Sequence, residues 1–245
     1  MLMRLDKIIS DAGLATRSSA KALFRAGRVT VNGVPAASGA EKCDPELSDI
    51  RLDGAPIDYR EHYYIMMNKP AGWLSATEDG RDAVVTELLD PKLRARGLFP
   101  AGRLDKDSVG LLILTDDGDF CHRVISPKSG VVKTYLVGCA SPIPDFAPRA
   151  FAEGLRLGEG MVCLPAELRV SELDPCRATV RLQEGKFHQV KRMLAAVGSP
   201  VLSLKRVSEG GLELDEDLAP GQWRELKAGE KELILLGGAP LDLNI

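Results

Sequence analysis

The stretch Phe99-Pro100-Ala101-Gly102-Arg103-Leu104-Asp105-Lys106-Asp107-Ser108-Val109-Gly110 runs into the apolar tetrad Leu111-Leu112-Ile113-Leu114 and a turn at Asp116-Asp117-Gly118. An unbroken apolar run between a glycine and an acidic turn reads as a strand buried on both faces. Just before it, the carboxylate of Asp105 stands near Arg103. Gly102 on one side allows a ligand's backbone to come close, and Gly110 on the other begins the buried strand. An acidic loop ahead of a core strand is ordinarily a solvated turn, so this loop marks where chemistry would sit without proving that any occurs there.

The chain has 245 residues, enough for one large domain or two, and its 44% hydrophobic content supplies an ordinary globular core. The formal charge of −3 gives no global basic field. Its distribution is uneven. From Met1 to Pro35 the bases Arg4, Lys7, Arg17, Lys21, Arg25 and Arg28 face only Asp6 and Asp11. Between Arg181 and Arg206 the bases Arg181, Lys186, Lys191, Arg192, Lys205 and Arg206 face only Glu184. Two basic islands on an acidic background suit a polyanionic partner that is touched locally. Five scattered cysteines and three scattered histidines make neither a disulfide framework nor a zinc site. The charged start of the chain is no signal peptide, and no apolar run is long enough to span a membrane, so a cytoplasmic protein is expected.

Along the chain, Leu5, Ile8 and Ile9 recur at helical spacing before Gly13. Thr16 or Ser18 caps a second helix with Ala20, Leu23 and Phe24 on its apolar face and Gly27 past its end. Arg17, Lys21, Arg25 and Arg28 would then line one side of it. Asn32-Gly33 between short β-branched runs signals a hairpin over Val29–Val34. Asp53-Gly54 and the polar residues up to His62 read as a turn and linker, which sets the expected domains at 1–60, 61–236 and a loose tail at 237–245.

In the second part Tyr63–Met67 reads as a strand ended by Asn68-Lys69-Pro70-Ala71-Gly72. Asp82–Leu89 is expected to form a short helix ended by Pro91, followed by a basic loop to Gly97. Asp119–Ile125 reads as a helix in which His122 is a packing or surface residue. Lys133–Val137 alternates as a strand. Ser141–Pro175, rich in proline and glycine, reads as strands and loops. Cys176–Leu182 is a further strand. Val190, Met193, Leu194 and Val197 fall at i, i+3, i+4 and i+7 ahead of Gly198, an amphipathic helix beside whose stripe Lys191 lies.

These segments together resemble the RNA pseudouridine synthases. Gly102-Arg103-Leu104-Asp105 is similar to the family's catalytic segment, Lys69-Pro70-Ala71-Gly72 to the Lys-Pro-x-Gly motif that opens its catalytic domain, and Lys133-Thr134-Tyr135 to its Lys-x-Tyr. Phe187-His188-Gln189-Val190-Lys191-Arg192-Met193 looks closest to the branch that modifies small-subunit ribosomal RNA, the RsuA type, where related large-subunit enzymes more often carry arginine at the position of Lys191. Residues 3–58, with two short helices, a basic stripe and a Val-Asn-Gly hairpin, resemble the small S4-like RNA-binding fold. The resemblance implies an α+β protein: an S4-like module followed by a catalytic domain whose mixed, mostly antiparallel sheet is flanked by helices.

It also implies the site. Asp105, Tyr135 and Lys191 would be catalytic, with Asp105 the nucleophile, Lys191 its ionic partner and Tyr135 lying against the flipped base. Arg103, Leu104 and Val190 would bind substrate, Arg103 through the nucleotide's backbone. Arg4, Arg17, Lys21, Arg25 and Arg28 would hold RNA phosphates without reading sequence. Lys69 is implied to be structural. The implied reaction breaks the bond between uracil nitrogen and ribose, turns the base and rejoins it through carbon, with no cofactor and no metal. A carboxylate can attack the sugar, attack the base or support an elimination at the sugar, and the sequence does not choose among these. The expected partner is ribosomal RNA or a ribosome assembly intermediate, acted on by a monomer. Alternatives are a large-subunit target or a non-catalytic RNA-binding assembly factor. A glycoside hydrolase built on Asp105 and Asp107 lacks a separated acid partner.

Overall fold

The computed structural model describes residues 2–45, 47–57 and 59–243. It divides into two compact units, 1–62 and 63–245, so the division falls two residues beyond the expected boundary.

The first unit is a small α+β fold. Strand β1 (Met3–Arg4) leads into α1 (Leu5–Asp11) and α2 (Arg17–Arg25), followed by short strands β2 (Val29–Val31), β3 (Val34–Pro35), β4 (Lys42–Cys43), β5 (Ile50–Leu52) and β6 (Ala55–Pro56). The Thr16 hydroxyl accepts the Ser19 N–H and caps α2. Leu5, Ile8, Ile9, Ala20 and Phe24 come from the two helices to meet Val29 and Ile50 in one core. Asn32 and Gly33 take positive φ (52° and 81°), as a two-residue hairpin turn requires. Asp53 and Gly54 (53° and 80°) repeat the device, so the expected turn and linker begin instead with a second hairpin, β5–β6. Arg28 lies beyond α2, not on its basic side: the helix closes at Ala26, and the Arg28 guanidinium grips Asp53 with two hydrogen bonds of 2.7 and 2.5 Å.

The second unit is built on one mixed sheet. Its strands are β7 (Tyr64–Lys69), β8 (Phe99–Pro100), β9 (Val109–Thr115), β10 (Lys133–Cys139), β11 (Glu167–Val170), β12 (Arg177–Leu182), β13 (Val201–Glu209), β14 (Leu212–Glu213) and β15 (Trp223–Glu225). The order is β11-β12-β10-β13-β9-β7-β15, with β14 on β13 and β8 on β9. All of these pairings are antiparallel except β9 with β13, which is parallel, so the sheet is mixed and mostly antiparallel as expected. Leu112 and Leu114 point into one core and Leu111 and Ile113 into another, which explains the run without alternation. On β10 only one face is buried: Tyr135, Val137 and Cys139 pack inward while Leu136 is half exposed.

Helices α3 (Pro91–Ala95), α4 (Gly118–Ile125), α5 (Ala147–Glu153), α6 (Gln189–Ala196) and α7 (Glu230–Leu235) complete the unit. Three expectations are corrected here. Pro91 starts a helix instead of ending one: the Asp90 carboxylate caps Leu93 N–H, proline occupies the first turn where its missing donor costs nothing, and the expected basic loop is α3. The segment 141–175 contains α5, which also carries proline in its first turn. The tail is not loose through residue 242: Val132 N–H donates to Gly237 O, Arg181 donates to Ala239 O and Pro240 O, and Asp242 N–H donates to Glu167.

The parallel junction depends on Gly110, whose φ is +102° and at which a Cβ would stand 2.2 Å from the Arg206 carbonyl oxygen of β13. Gly97 has φ +71° and open space around it. Gly97→Ala should cost only backbone strain, about 1 kcal/mol. Gly110→Ala adds an overlap with backbone that nothing flexible can relieve, and its melting temperature should fall well below that of Gly97→Ala. Equal losses in a thermal melt would show that the close approach is not what requires glycine.

Candidate active site

Three sequence-distant segments meet around Asp105. The first is the end of β7. Lys69 is fully buried, and its Nζ donates to the carbonyls of Pro70 (3.0 Å), Lys106 (3.3 Å) and Ser108 (2.8 Å). Gly72 N–H donates to the same Lys106 carbonyl at 2.7 Å. The Lys-Pro-Ala-Gly stretch is therefore a clamp on the backbone of the 105–108 loop. The Ser75 hydroxyl secures the loop's other flank, donating to Leu104 O and accepting from Leu104 N–H. Inside the loop, Ser108 N–H closes a turn onto Asp105 O.

The second segment is α6. Its buried residues Val190, Met193 and Leu194 fix its rotation on the core, and this brings Lys191 over the loop. Lys191 Nζ lies 2.9 Å from Asp105 Oδ2 and 2.6 Å from Asp107 Oδ1. Burial alone would lower the Lys191 ammonium's pKa, but the hydrogen bonds from Asp107 and Asp105 outweigh it and hold the group above its ordinary value. Asp107 is held below the usual carboxylate range by its hydrogen bond from Lys191. Lys191 thus has two anionic partners, where the sequence reading supplied one. His188 at the N-cap of α6 adds a further contact, its Nε2 3.4 Å from Asp105 Oδ1.

The third segment is the β10–β13 ladder. Its register sets Tyr135 opposite Arg206 and Lys133 opposite Glu209, four side chains on one sheet face, all at most 7% exposed. Arg206 Nε donates to Leu111 O at 2.7 Å and its Nη2 lies 3.7 Å from Glu209. Lys133 Nζ donates to the carbonyls of Val124 and Val131, and burial lowers its pKa. Burial pushes the Tyr135 phenol up and Arg206 only partly offsets this, so the hydroxyl is neutral around pH 7.

A hollow of about 60 Å³ is lined by Arg103, Leu104, Asp105, Tyr135, Val190 and His188. A neighbouring cavity of about 180 Å³ shares Arg103, Tyr135, Gly185 and Lys186 with it and reaches Arg206 and Glu209. All six residues expected in the catalytic and substrate-binding sets thus meet at one place: Lys191 contacts Asp105, and the other five line the hollow. Arg103 is exposed at its mouth, and no hydrogen bond or ion pair holds its guanidinium among the described residues. In the first unit, Arg17, Lys21 and Arg25 are exposed on α2, whereas Arg4 pairs with Asp6 at 2.6 Å and Arg28 with Asp53. The resemblance implied a structural Lys69 but not the carbonyls it clamps, and sequence reasoning missed the buried charges Lys133, Arg206 and Glu209. The two-residue spacing of Lys133 and Tyr135 on a half-buried strand was the available signal for one of these.

A carboxylate and an ammonium thus meet beside a hollow lined by Tyr135 and His188 on the mixed sheet of the second unit. The family described as RNA pseudouridylate synthase matches residues 63–196, and the S4 domain matches residues 3–47. The chain belongs to the RNA pseudouridine synthase family and is an isomerase with an N-terminal S4 RNA-binding domain. It is 45% identical over 236 residues to the uncharacterized RNA pseudouridine synthase YtzG of Bacillus subtilis, covering 96% of this chain and 98% of that one. It is 42% identical over 230 residues to the ribosomal small subunit pseudouridine synthase A of Escherichia coli, covering 93% and 98%. The corresponding protein of Yersinia pestis is 43% identical over 240 residues, with 97% and 99% covered. A crystal structure of a pseudouridylate synthase superposes with a TM-score of 0.67 at 39% identity, over 95% of this chain and 99% of that one. No helix among the described residues is long and apolar enough to cross a membrane.

Burial takes the Lys69 ammonium from its ordinary 10.5 down to about 8. Between those values the unfolded chain carries a proton that the folded chain has released, so through this group stability rises as pH climbs from about 8 toward 10.5. Measured by urea unfolding, the stability of the native chain relative to Lys69→Met should therefore increase between pH 7.5 and 10 by about 1–3 kcal/mol. A difference that stays flat with pH would contradict the burial of a charged Lys69.

Proposed function

We propose that the chain converts one uridine of small-subunit ribosomal RNA to pseudouridine, with Asp105 as nucleophile. The observation that carries this is the 2.9 Å contact of Lys191 with Asp105 on the wall of a hollow lined by Tyr135, Leu104 and Val190. The near-full-length similarity to proteins named for the small ribosomal subunit supports the substrate. A ribosomal RNA substrate, naked or in an assembling particle, makes the cytoplasm the place of action.

The target uridine leaves its stack and enters the hollow, at a cost of a few kcal/mol that aromatic contact offsets in part. Arg103 at the mouth grips a phosphate with paired hydrogen bonds. Asp105, its carboxylate 2.9 Å from the Lys191 ammonium, attacks the reacting nucleotide, and the bond from uracil nitrogen to the anomeric carbon breaks. The base turns, its ring carbon bonds to that anomeric carbon, Asp105 is released, and a proton moves from the ring carbon to the freed nitrogen. Substrate and product are isomers, so no external reagent enters the balance. Tyr135, neutral and buried, packs against the base. Arg17, Lys21 and Arg25 on α2 hold phosphates elsewhere on the RNA, and this electrostatic contact weakens with salt. Arg4 and Arg28 are assigned to the same surface only insofar as RNA displaces Asp6 and Asp53 from them.

A pseudouridine map of ribosomal RNA from cells lacking the protein tests the reading, with rescue by the native chain, by Asp105→Asn or by a chain with Arg17, Lys21 and Arg25 all changed to Ala. One small-subunit uridine should lose its modification, regain it with the native chain, stay unmodified with Asp105→Asn and recover only in part with the triple variant. An unchanged map favours a non-catalytic assembly factor, and a large-subunit site would correct the substrate.

A further inference from the structure

Next to His188 on the wall of the hollow, an aromatic side chain faces water. Phe187 is 67% exposed, and its ring lies on the His188 imidazole with centroids 3.9 Å apart and planes 19° from parallel. His188 in turn lines the hollow and reaches Asp105. An aromatic column thus begins at the carboxylate and ends in solvent.

The column stands on a rigid base. His188 has φ 51° and ψ 30°, a left-handed conformation that costs a side-chain-bearing residue of order 1 kcal/mol or more and persists only where the surroundings impose it. The surroundings do so through the preceding turn. Gln189 N–H donates to Lys186 O, Lys186 N–H donates to Gln189 Oε1, and the buried Gln189 amide donates to Glu184, which also accepts Leu164 N–H. Strain is retained, in other words, in the residue that aims the column outward from Asp105. A packing role does not explain Phe187, because two thirds of its surface touches no described residue.

We propose that Phe187, backed by His188, is a stacking platform for the nucleobase adjoining the target uridine. This rests on the RNA-modifying reading above. Removing a uridine from its stack leaves its neighbour with a bare face, and an exposed aromatic ring beside the entry accepts that face whatever the base, since every base has a π-surface. Arg103 at the mouth of the same hollow supplies the charge for the intervening phosphate. The platform stabilises the opened RNA and reads no sequence.

The test uses an RNA fragment carrying the uridine that the native enzyme converts, with 2-aminopurine placed in turn on each side of it. Native enzyme and Phe187→Trp should change the fluorescence at one of the two positions on binding. Phe187→Ala should abolish that change and weaken binding by roughly 5- to 100-fold, with an unaltered melting temperature because the residue is exposed. Equal affinity and an equal fluorescence response for Phe187→Ala would overturn the proposal, including the case in which Phe187 instead meets a protein partner. If the native enzyme converts no uridine in any ribosomal RNA, the reading of the previous subsection fails and takes this one with it.

Discussion

A single buried ammonium sets the position of the loop on which everything else converges. Taking the Lys69 charge out of water costs several kcal/mol, and the three carbonyls it meets, together with the nearby Asp105 and Asp107 carboxylates, are what offset that cost. The dependence runs in both directions. Without Lys69 the carbonyls of Lys106 and Ser108 lose their common donor. Without the loop Lys69 would be an unpaired charge in the core. Lys191 on α6 meets the same loop through its side chains, so one ammonium holds the carbonyls of Lys106 and Ser108 and another the carboxylates of Asp105 and Asp107.

The sheet supplies the floor for this assembly and the reason it faces one way. Gly110 lets β9 and β13 come together in parallel, and that contact places Arg206 across from Tyr135 with its Nε on Leu111 O. The buried group of Lys133, Tyr135, Arg206 and Glu209 is expensive to desolvate and contributes little net stability by itself. Its consequence is a neutral phenol fixed in orientation at the bottom of the hollow. The other face of β10 carries Thr134 and the half-exposed Leu136, which line a separate cavity of about 580 Å³ away from Asp105.

Much of the architecture was legible because local chemistry and long-range packing agree. Asn32-Gly33 has one good use, a tight hairpin. Leu111–Leu114 lacks alternation because both faces are covered. Val190, Met193, Leu194 and Val197 mark the face of α6 that packs, and their spacing put Lys191 beside it. What was not legible involves residues whose usual habit is overridden by partners distant in sequence. Lysine at position 69 normally reads as solvated, and only the carbonyls of residues 106 and 108 make its burial tolerable. Arg206 was counted in a basic island facing RNA, yet it is inside the fold with Glu209. Pro91 in isolation reads as a stop and the prolines of 141–175 as loop signals, although proline in the first turn of a helix costs nothing. The tail was judged by its position in the chain, while its hydrogen bonds to Val132, Glu167 and Arg181 bind it to the sheet. Within the site, the family resemblance supplied Asp105, Tyr135 and Lys191, and the second anion on Lys191 was visible only in three dimensions.

If the Lys69 clamp sets the position of the Asp105 carboxylate, its loss must show in the chemical step, which single-turnover kinetics of Lys69→Met at saturating enzyme isolates when set beside the RNA dissociation constant. The variant should fold and bind RNA with native affinity, while its rate of pseudouridine formation falls by roughly 100-fold or more, the scale set when a reacting group is misplaced by about 1 Å. A native rate would contradict that role of the clamp, as would a loss confined to affinity.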